Sequence, residues 1–356
     1  MSRFVQLHIL TSYPPSNLNR DDTGRPKTAV IGDCTRLRIS SQSLKRAWRT
    51  SDIFESALKG HIGTRTKEMG ISVYQSLTKQ AVSEKNAREW AKKIASQFGK
   101  LKSEKKTENN EDLHVEQLVH FSPEEEKAIA DLVTQLVATP AAPTEDDLKL
   151  LRKQHTAVDI AMFGRMLASS PAFNTEAAIQ VAHAITVHKA AVEDDYFIAV
   201  DDLNAGEESK GAAHIGELGF GAGVFYLYIC IDRELLQKNL GGDAALTQRA
   251  LHALAQAVTK VSPTGKQNSF ASRAYAGFVL AEKGDQQPRS LAQAFLKPVK
   301  PNQENGEDTM TRAVKELSKR RDNFNTVYGD CADTSTQFNV ETGEGSLSAI
   351  AEFIAK

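Results

Sequence analysis

Residues 39–49, Ile-Ser-Ser-Gln-Ser-Leu-Lys-Arg-Ala-Trp-Arg, put a cap, a cationic row and an apolar row into one short stretch. Ser40 or Ser41 can satisfy a free first-turn amide through its hydroxyl. Gln42, Lys45, Arg46 and Arg49 then recur at i, i+3, i+4 and i+7 and share one helical face. Leu44, Ala47 and Trp48 fall on the opposite face, the one able to bury. The N-terminal amides of such a helix attract anions. Cations outward, an anchor inward and bare amides at one end suit recognition of a polyanion backbone.

The charge distribution points the same way. The chain carries 44 basic and 45 acidic side chains, a net −1. Residues 1–50 hold nine of the basic ones: Arg3, Arg20, Arg25, Lys27, Arg36, Arg38, Lys45, Arg46 and Arg49. Against these stand Asp21, Asp22 and Asp33, a local balance of +6 that leaves −7 for the rest. A local basic patch is the electrostatic footprint of a nucleic-acid binder, and it is also what a solvated basic surface looks like.

Catalytic patterns are missing. No GxxxxGK[ST] loop and no GxSxG elbow occurs. The glycine-rich Gly219–Gly223 precedes a strand instead of following one, which suits a bend or a close backbone approach. Cys34, Cys230 and Cys331 form no pair motif and read as reduced thiols of a cytoplasmic protein. No histidine stands at metal-ligand spacing with a cysteine, so neither a metal nor a cofactor is expected. The acid pairs Asp194-Asp195 and Asp201-Asp202 fit turn or loop residues better than an ion site. No apolar run approaches the ~18 residues of a membrane span, and the N-terminus lacks a signal-peptide core.

The elements that must position these residues follow from periodicity. Val5, Leu7 and Ile9 alternate, which predicts a strand over Phe4–Leu10. Residues 11–36 lack periodicity and contain Pro14, Pro15, Gly24, Pro26 and Gly32, which predicts a long basic loop of functional length. Arg36–Ile39 is a short strand feeding the capped helix. Helices are expected over 72–98 and 123–153, with a mobile polar loop at Gly99–Asp112 between them. Val158, Ile160 and Met162 alternate as a core strand would, and 176–190 fits helix or strand. Ala199–Glu217 suits an exposed hairpin, and Gly223–Asp232 a strong strand. A helix at 243–260, a strand near 275–282 and helices near 290–296 and 309–326 follow, with a weak tail. The sum is an α+β sheet domain with an inserted helical part.

Asn17-Leu18-Asn19-Arg20-Asp21-Asp22, followed by Arg38-Ile39-Ser40-Ser41-Gln42-Ser43-Leu44-Lys45-Arg46, resembles the CasC-type backbone subunit of the type I-E CRISPR Cascade complex. Asp159-Ile160-Ala161 with Gly164-Arg165-Met166, Ala182–Thr186 with His188, and Ala199-Val200-Asp201-Asp202-Leu203 look like the same family. Ala213-His214 and Gly223–Tyr226 continue the pattern. The likeness runs along nearly the whole chain and is weakest over 52–150 and beyond about 285.

The resemblance implies an RRM-like (ferredoxin-like) palm over 1–50 and 155–356, an inserted helical fingers domain over 51–154, and a β-hairpin thumb at about 199–217. It implies a structural subunit of a ribonucleoprotein in antiviral defence. Copies would bind one another and form a helical filament on a CRISPR RNA guide, which pairs with target DNA. Other Cascade subunits and a recruited nuclease-helicase are the remaining partners. The subunit itself would not be an enzyme. Positions matching the family's guide contacts are Arg20, Lys27, Ser40, Gln42, Lys45, Arg49 and Met166. Arg46, on the same helical face, and Arg165, beside Met166, complete the candidate set. Taken alone, Met166 would read as core packing; the resemblance places it against an unstacked base. Asp201, Asp202, Leu203 and His214 belong to the thumb, whose Asn204–Gly211 segment is longer and more acidic than the family's commonest form. Two alternatives stand beside this. One is an RNA-guided ribonuclease using Asp33 or Asp201 and Asp202; the other is a general single-stranded RNA-binding protein.

Overall fold

The computed structural model describes residues 2–103, 110–200, 212–300 and 306–356. It divides into two units: Met1–Glu55, Gln180–Asp232 and Leu251–Lys356 form the first, and Ser56–Ile179 with Arg233–Ala250 the second. Residues 233–250 thus join the second unit.

Strand β1 (Phe4–Ser16) outruns the expected Phe4–Leu10. Val5, Leu7 and Ile9 are buried on one face, and Gln6 and His8 are buried on the other. The residues expected as one long loop contain a hairpin, β2 (Thr28–Ile31) and β3 (Cys34–Ile39). Its turn residues, Gly32 and Asp33, both have positive φ, the two-residue geometry that suits a twisted ladder. A Cβ on Gly32 would collide with the Leu296 carbonyl. The loop proper thus shrinks to residues 17–27. Helix α1 (Ser41–Arg49) follows directly, then α2 (Asp52–Ala57).

The second unit is mainly helical, with a small ladder of β4 (Thr64–Thr66) and β5 (Val119–Phe121). The expected helix over 72–98 is two: α3 (Met69–Lys79) and α4 (Glu84–Ser96). Ala81 at positive φ and Ser83, which caps α4, break it. Helix α5 (Pro123–Ala138) ends at Thr139, well short of 153. Pro140 and Pro143 lie just beyond, where no helix can continue. The supposed strand at Val158–Met162 is α6 (Val158–Phe163). All five of those residues are buried, so the apolar run carries no period to separate helix from strand. The 99–112 segment is pinned where it is described: Leu101 bridges Val115, and Asp112 is buried against Arg88 and Lys92. Residues 104–109 lie outside the described residues.

Short strands β6 (Ile179–Val181) and β7 (Ala184–Thr186) resolve the ambiguous segment. They are followed by β8 (Glu193–Val200) and the long β9 (Ala212–Asp232). Helix α7 (Arg233–Asn239) and the start of α8 (Ala244–Lys260) belong to the second unit. Then come α9 (Gln267–Phe270), β10 (Ala276–Gly284), a 3-10 turn at Ala292–Phe295 in place of the expected helix, and α10 (Thr309–Tyr328). The tail, expected to be weak, holds β11 (Thr334–Asn339) and α11 (Leu347–Ala355). Strand order is β11-β10-β1-β9-β7-β3-β2, with β6 and β8 also paired to β9. The first unit is a mixed α+β fold on an antiparallel sheet. Leu10, Tyr226, Phe278, Phe295, Met310 and Leu317 pack one of its cores.

Beneath that sheet lies a charged cluster. Glu282, fully buried, meets Arg289 at 2.7 Å, Arg321 at 2.8 Å and His8 Nε2 at 3.2 Å. The other His8 nitrogen, Nδ1, is 2.9 Å from the Tyr226 hydroxyl, which accepts from the Leu291 amide. Burial would raise the Glu282 carboxyl, but the His8 and Arg289 contacts outweigh it and hold the group well below the usual carboxylate range. Burial lowers the His8 pKa, so the ring is neutral and donates from Nε2. Both shifts have one sign in acid. The unfolded chain takes up protons that the folded chain refuses, so stability rises with pH. Thermal stability is expected to fall as pH drops below about 6.5, the ordinary histidine value. Glu282→Gln should cost roughly 3–5 kcal/mol at neutral pH, since it strips the arginines of their buried partner. The Glu282→Gln Tm should also depend less on pH in acid, and an unchanged pH slope in calorimetry would contradict this.

Candidate nucleic-acid interface

The basic loop is a built turn. Asp21 Oδ1 accepts from the amide of Thr23 at 2.9 Å and from that of Arg25 at 3.0 Å. Gly24 supplies the positive φ that the turn requires. Arg20 bridges Pro26 across the turn. The buried Asn17 donates to the Gly24 and Gly219 carbonyls, at 2.9 and 2.8 Å. Asn19 Oδ1 accepts from the Ser40 amide at 2.9 Å, and the Lys27 amide donates to the Asn19 carbonyl. These bonds fix Arg20 and Lys27 relative to the start of α1.

Helix α1 is capped by Ser40, whose Oγ accepts from the Ser43 amide. Leu44 and Trp48 are buried, Trp48 fully so, and the indole Nε1 donates to the Val261 carbonyl at 3.2 Å. Gln42 and Arg46 are exposed, and Lys45 and Arg49 are half-buried. Burial lowers the Lys45 pKa. Leu44 and Trp48 bury as the spacing predicts, whereas Ala47, expected on the same face, is only half-buried. Ser40 is itself largely buried and committed to capping, so its hydroxyl serves the helix before any ligand.

Other cations of the basic segment already have partners within the protein. Arg36 is fully buried and donates to the carbonyls of Thr186 at 3.0 Å and Phe295 at 2.8 Å. Arg25 pairs with Asp194 at 2.8 Å. Arg38 donates from Nη1 to His183 Nδ1 at 2.8 Å. A guanidinium only donates, so His183 accepts there and is neutral. Burial, then Arg38 and Lys27, lower its pKa in agreement. The +6 of the sequence count therefore overstates the charge open to a ligand.

Arg165 and Met166 lie in the second unit. The expectation for Arg165 fails: its guanidinium is buried, meets Glu125 at 2.6 Å, and donates to the His120, Arg152 and Phe173 carbonyls. Glu125 also closes the capping box of α5 with Ser122, so this ion pair is part of the core. Met166 is 82% exposed, which excludes core packing. Around it the backbone is rigid: Arg165 and Thr175 exchange both amide bonds, and the Leu167 amide donates to Asn174 Oδ1 at 2.6 Å. An apolar side chain is thus held out in water from a fixed base.

Of the thumb residues, Asp201, Asp202 and Leu203 lie outside the described residues. His214 pairs with Ala199 across β8 and β9. Asp33 occupies the β2–β3 turn, a role that needs no catalysis. The glycines of β9 mark close approach, as expected: a Cβ on Gly223 would stand 2.5 Å from His188 Nε2.

Residues beyond the expected set also line the basic surface. Lys260, Arg273 and Tyr275 join Arg46 around a groove of about 970 Å³ beside α1. Lys266 joins Arg20 and Arg25 around a second, of about 400 Å³. The signal was present in Ser272-Arg273-Ala274-Tyr275, a cation and an aromatic in alternation ahead of a strand.

A family model described as CT1975-like protein matches residues 5–353. A solved chain of a "CRISPR RNA-guided surveillance complex, pre-nicking" superposes with a TM-score of 0.86 at 28% identity, covering 99% of both chains. A chain of another "CRISPR RNA-guided surveillance complex" has a TM-score of 0.60 at 26% identity, over 97% of this chain and 92% of that one. No curated protein matches.

Because Trp48 anchors α1, Trp48→Ala should cost roughly 3–5 kcal/mol in urea unfolding. Trp48→Phe keeps most of the packing and loses the bond to Val261, so its cost should be nearer 1 kcal/mol. Equal stability of wild type and Trp48→Ala would show that α1 is not held by this ring.

Proposed function

Because the chain belongs to the CT1975-like protein family, we propose that it is the guide-binding backbone subunit of a CRISPR RNA-guided surveillance complex. One observation carries the reading: α1 is anchored by Leu44 and Trp48, and its N-terminus is tied to the loop that carries Arg20 and Lys27 through the Asn19–Ser40 bond. Lys45, Arg46, Arg49, Arg20 and Lys27 neutralise phosphates, and Gln42 adds an uncharged donor. Such contacts fix a backbone without reading its sequence, which a protein accepting any guide requires. Arg165 drops out of the set, and Met166 stays in it as an exposed wedge able to press on an unstacked base.

Finer features of the proposal rest on the resemblance. The complex is of type I-E and acts in antiviral defence. The first unit is the palm, the second contains the fingers, and the β8–β9 hairpin is the thumb. Copies assemble as a filament on the guide, which pairs with target DNA, while a recruited nuclease-helicase does the cutting. This chain holds the guide and cleaves nothing.

Lys45→Ala with Arg49→Ala should weaken RNA binding uniformly across guide sequences. Each lost phosphate contact should reduce the magnitude of the log–log salt slope by about 0.7. Fluorescence anisotropy at several salt concentrations measures both. A loss confined to some sequences, or an unchanged slope, would argue against the phosphate role.

A further inference from the structure

The larger groove lies between the C-terminal half of α1 and the segment after α8. Two contacts set its walls. The Trp48 bond to Val261 ties that segment to α1. Gly265 packs so closely on Asn17 and Leu18 that a Cβ would stand 2.5 and 2.6 Å from their carbonyl oxygens. Lys266 and Ala271, on either side of α9, both sit at positive φ. Non-glycine residues hold that conformation only where the surroundings impose it, and such positions gather at ligand sites.

Its lining has three cations, Arg46, Lys260 and Arg273, and one carboxylate, Asp52. Tyr275 stands at the rim, 69% exposed, although the next residue, Ala276, is buried at the start of β10. A flat aromatic face in water in a groove that is also lined by three cations matches the two needs of a single-stranded nucleic acid: a platform for a base and countercharge for its phosphates. An apolar protein segment would leave the cations uncompensated, so the charge favours a polyanion.

We propose that this groove binds a segment of single-stranded RNA, with one base stacked on Tyr275 and the adjoining phosphates held by Arg46 and Arg273. The proposal rests on the reading of the chain as an RNA-binding subunit. It adds a second contact region to the outward face of α1, with Arg46 common to both.

The test is an anisotropy titration of fluorescein-labelled oligouridylate with the full chain and three variants: Tyr275→Ala, Tyr275→Phe and Arg273→Ala. Tyr275→Ala should weaken binding roughly ten-fold, the loss of one stacked base. Tyr275→Phe, which keeps the ring, should bind as wild type does. Arg273→Ala should lower the magnitude of the salt slope by about 0.7. Should Tyr275→Ala fail to fold, the slope of Arg273→Ala decides alone. Wild-type behaviour of all variants, with Lys45→Ala/Arg49→Ala still weakened, would overturn the groove and leave the functional reading intact. No binding by any form, wild type included, would overturn both. If the variants bind RNA normally but change self-association in sedimentation velocity, the groove holds a second copy and the proposal is wrong.

Discussion

The basic surface depends on a strand bonded along both edges. β1 pairs with β9 over almost its whole length and with β10 from Phe4 to Thr11. A strand held this way cannot slip without breaking two ladders and turning its buried side chains outward. Its last residues lead straight into Asn17, whose side chain ties back to Gly219 on β9. From there the Asn19–Ser40 bond fixes the head of α1, and Trp48 and Leu44 fix its body. The position of every cation in the turn and on the helix therefore follows from the register of one strand.

Within that frame, arginines divide into two kinds. Arg36 and Arg165 are buried among carbonyls, with Glu125 also bonded to Arg165, and hold connections together. A guanidinium with five donors can satisfy several orphan carbonyls at once, so it serves as an internal brace. Arg46 and Arg20 face outward and are open to a ligand. A count of positive residues cannot separate the two kinds, because the difference lies in which carbonyls the fold brings near.

This marks how far the sequence carries. The capped, two-faced α1 was legible because cap, spacing and anchor all agree within a few residues. So were the core of β9, α8, β10 and α10, where periodicity or apolar content is strong. The hairpin within 11–36 was hidden by weak alternation, and Gly32 acquires its meaning only from the distant Leu296 carbonyl. α6 reads as a strand because Val158–Met162 are all buried and show no helical period. The tail was underestimated because β11 is a polar edge strand, with only Phe338 buried in it. At the site, Arg165 was misassigned for want of its distant partner Glu125. Lys260, Arg273 and Tyr275 were missed because the chain brings them to α1 from more than two hundred residues away.

The central claim is that guide phosphates lie on the turn after β1 and on the polar face of α1. Photocrosslinking tests it most directly: a complex assembled on 4-thiouridine-substituted guide RNA is irradiated, and its crosslinked peptides are mapped by mass spectrometry. The account predicts crosslinks within residues 17–49, in every guide sequence tried. Crosslinks confined to the helical second unit, residues 64–138, with none in 17–49, would contradict it.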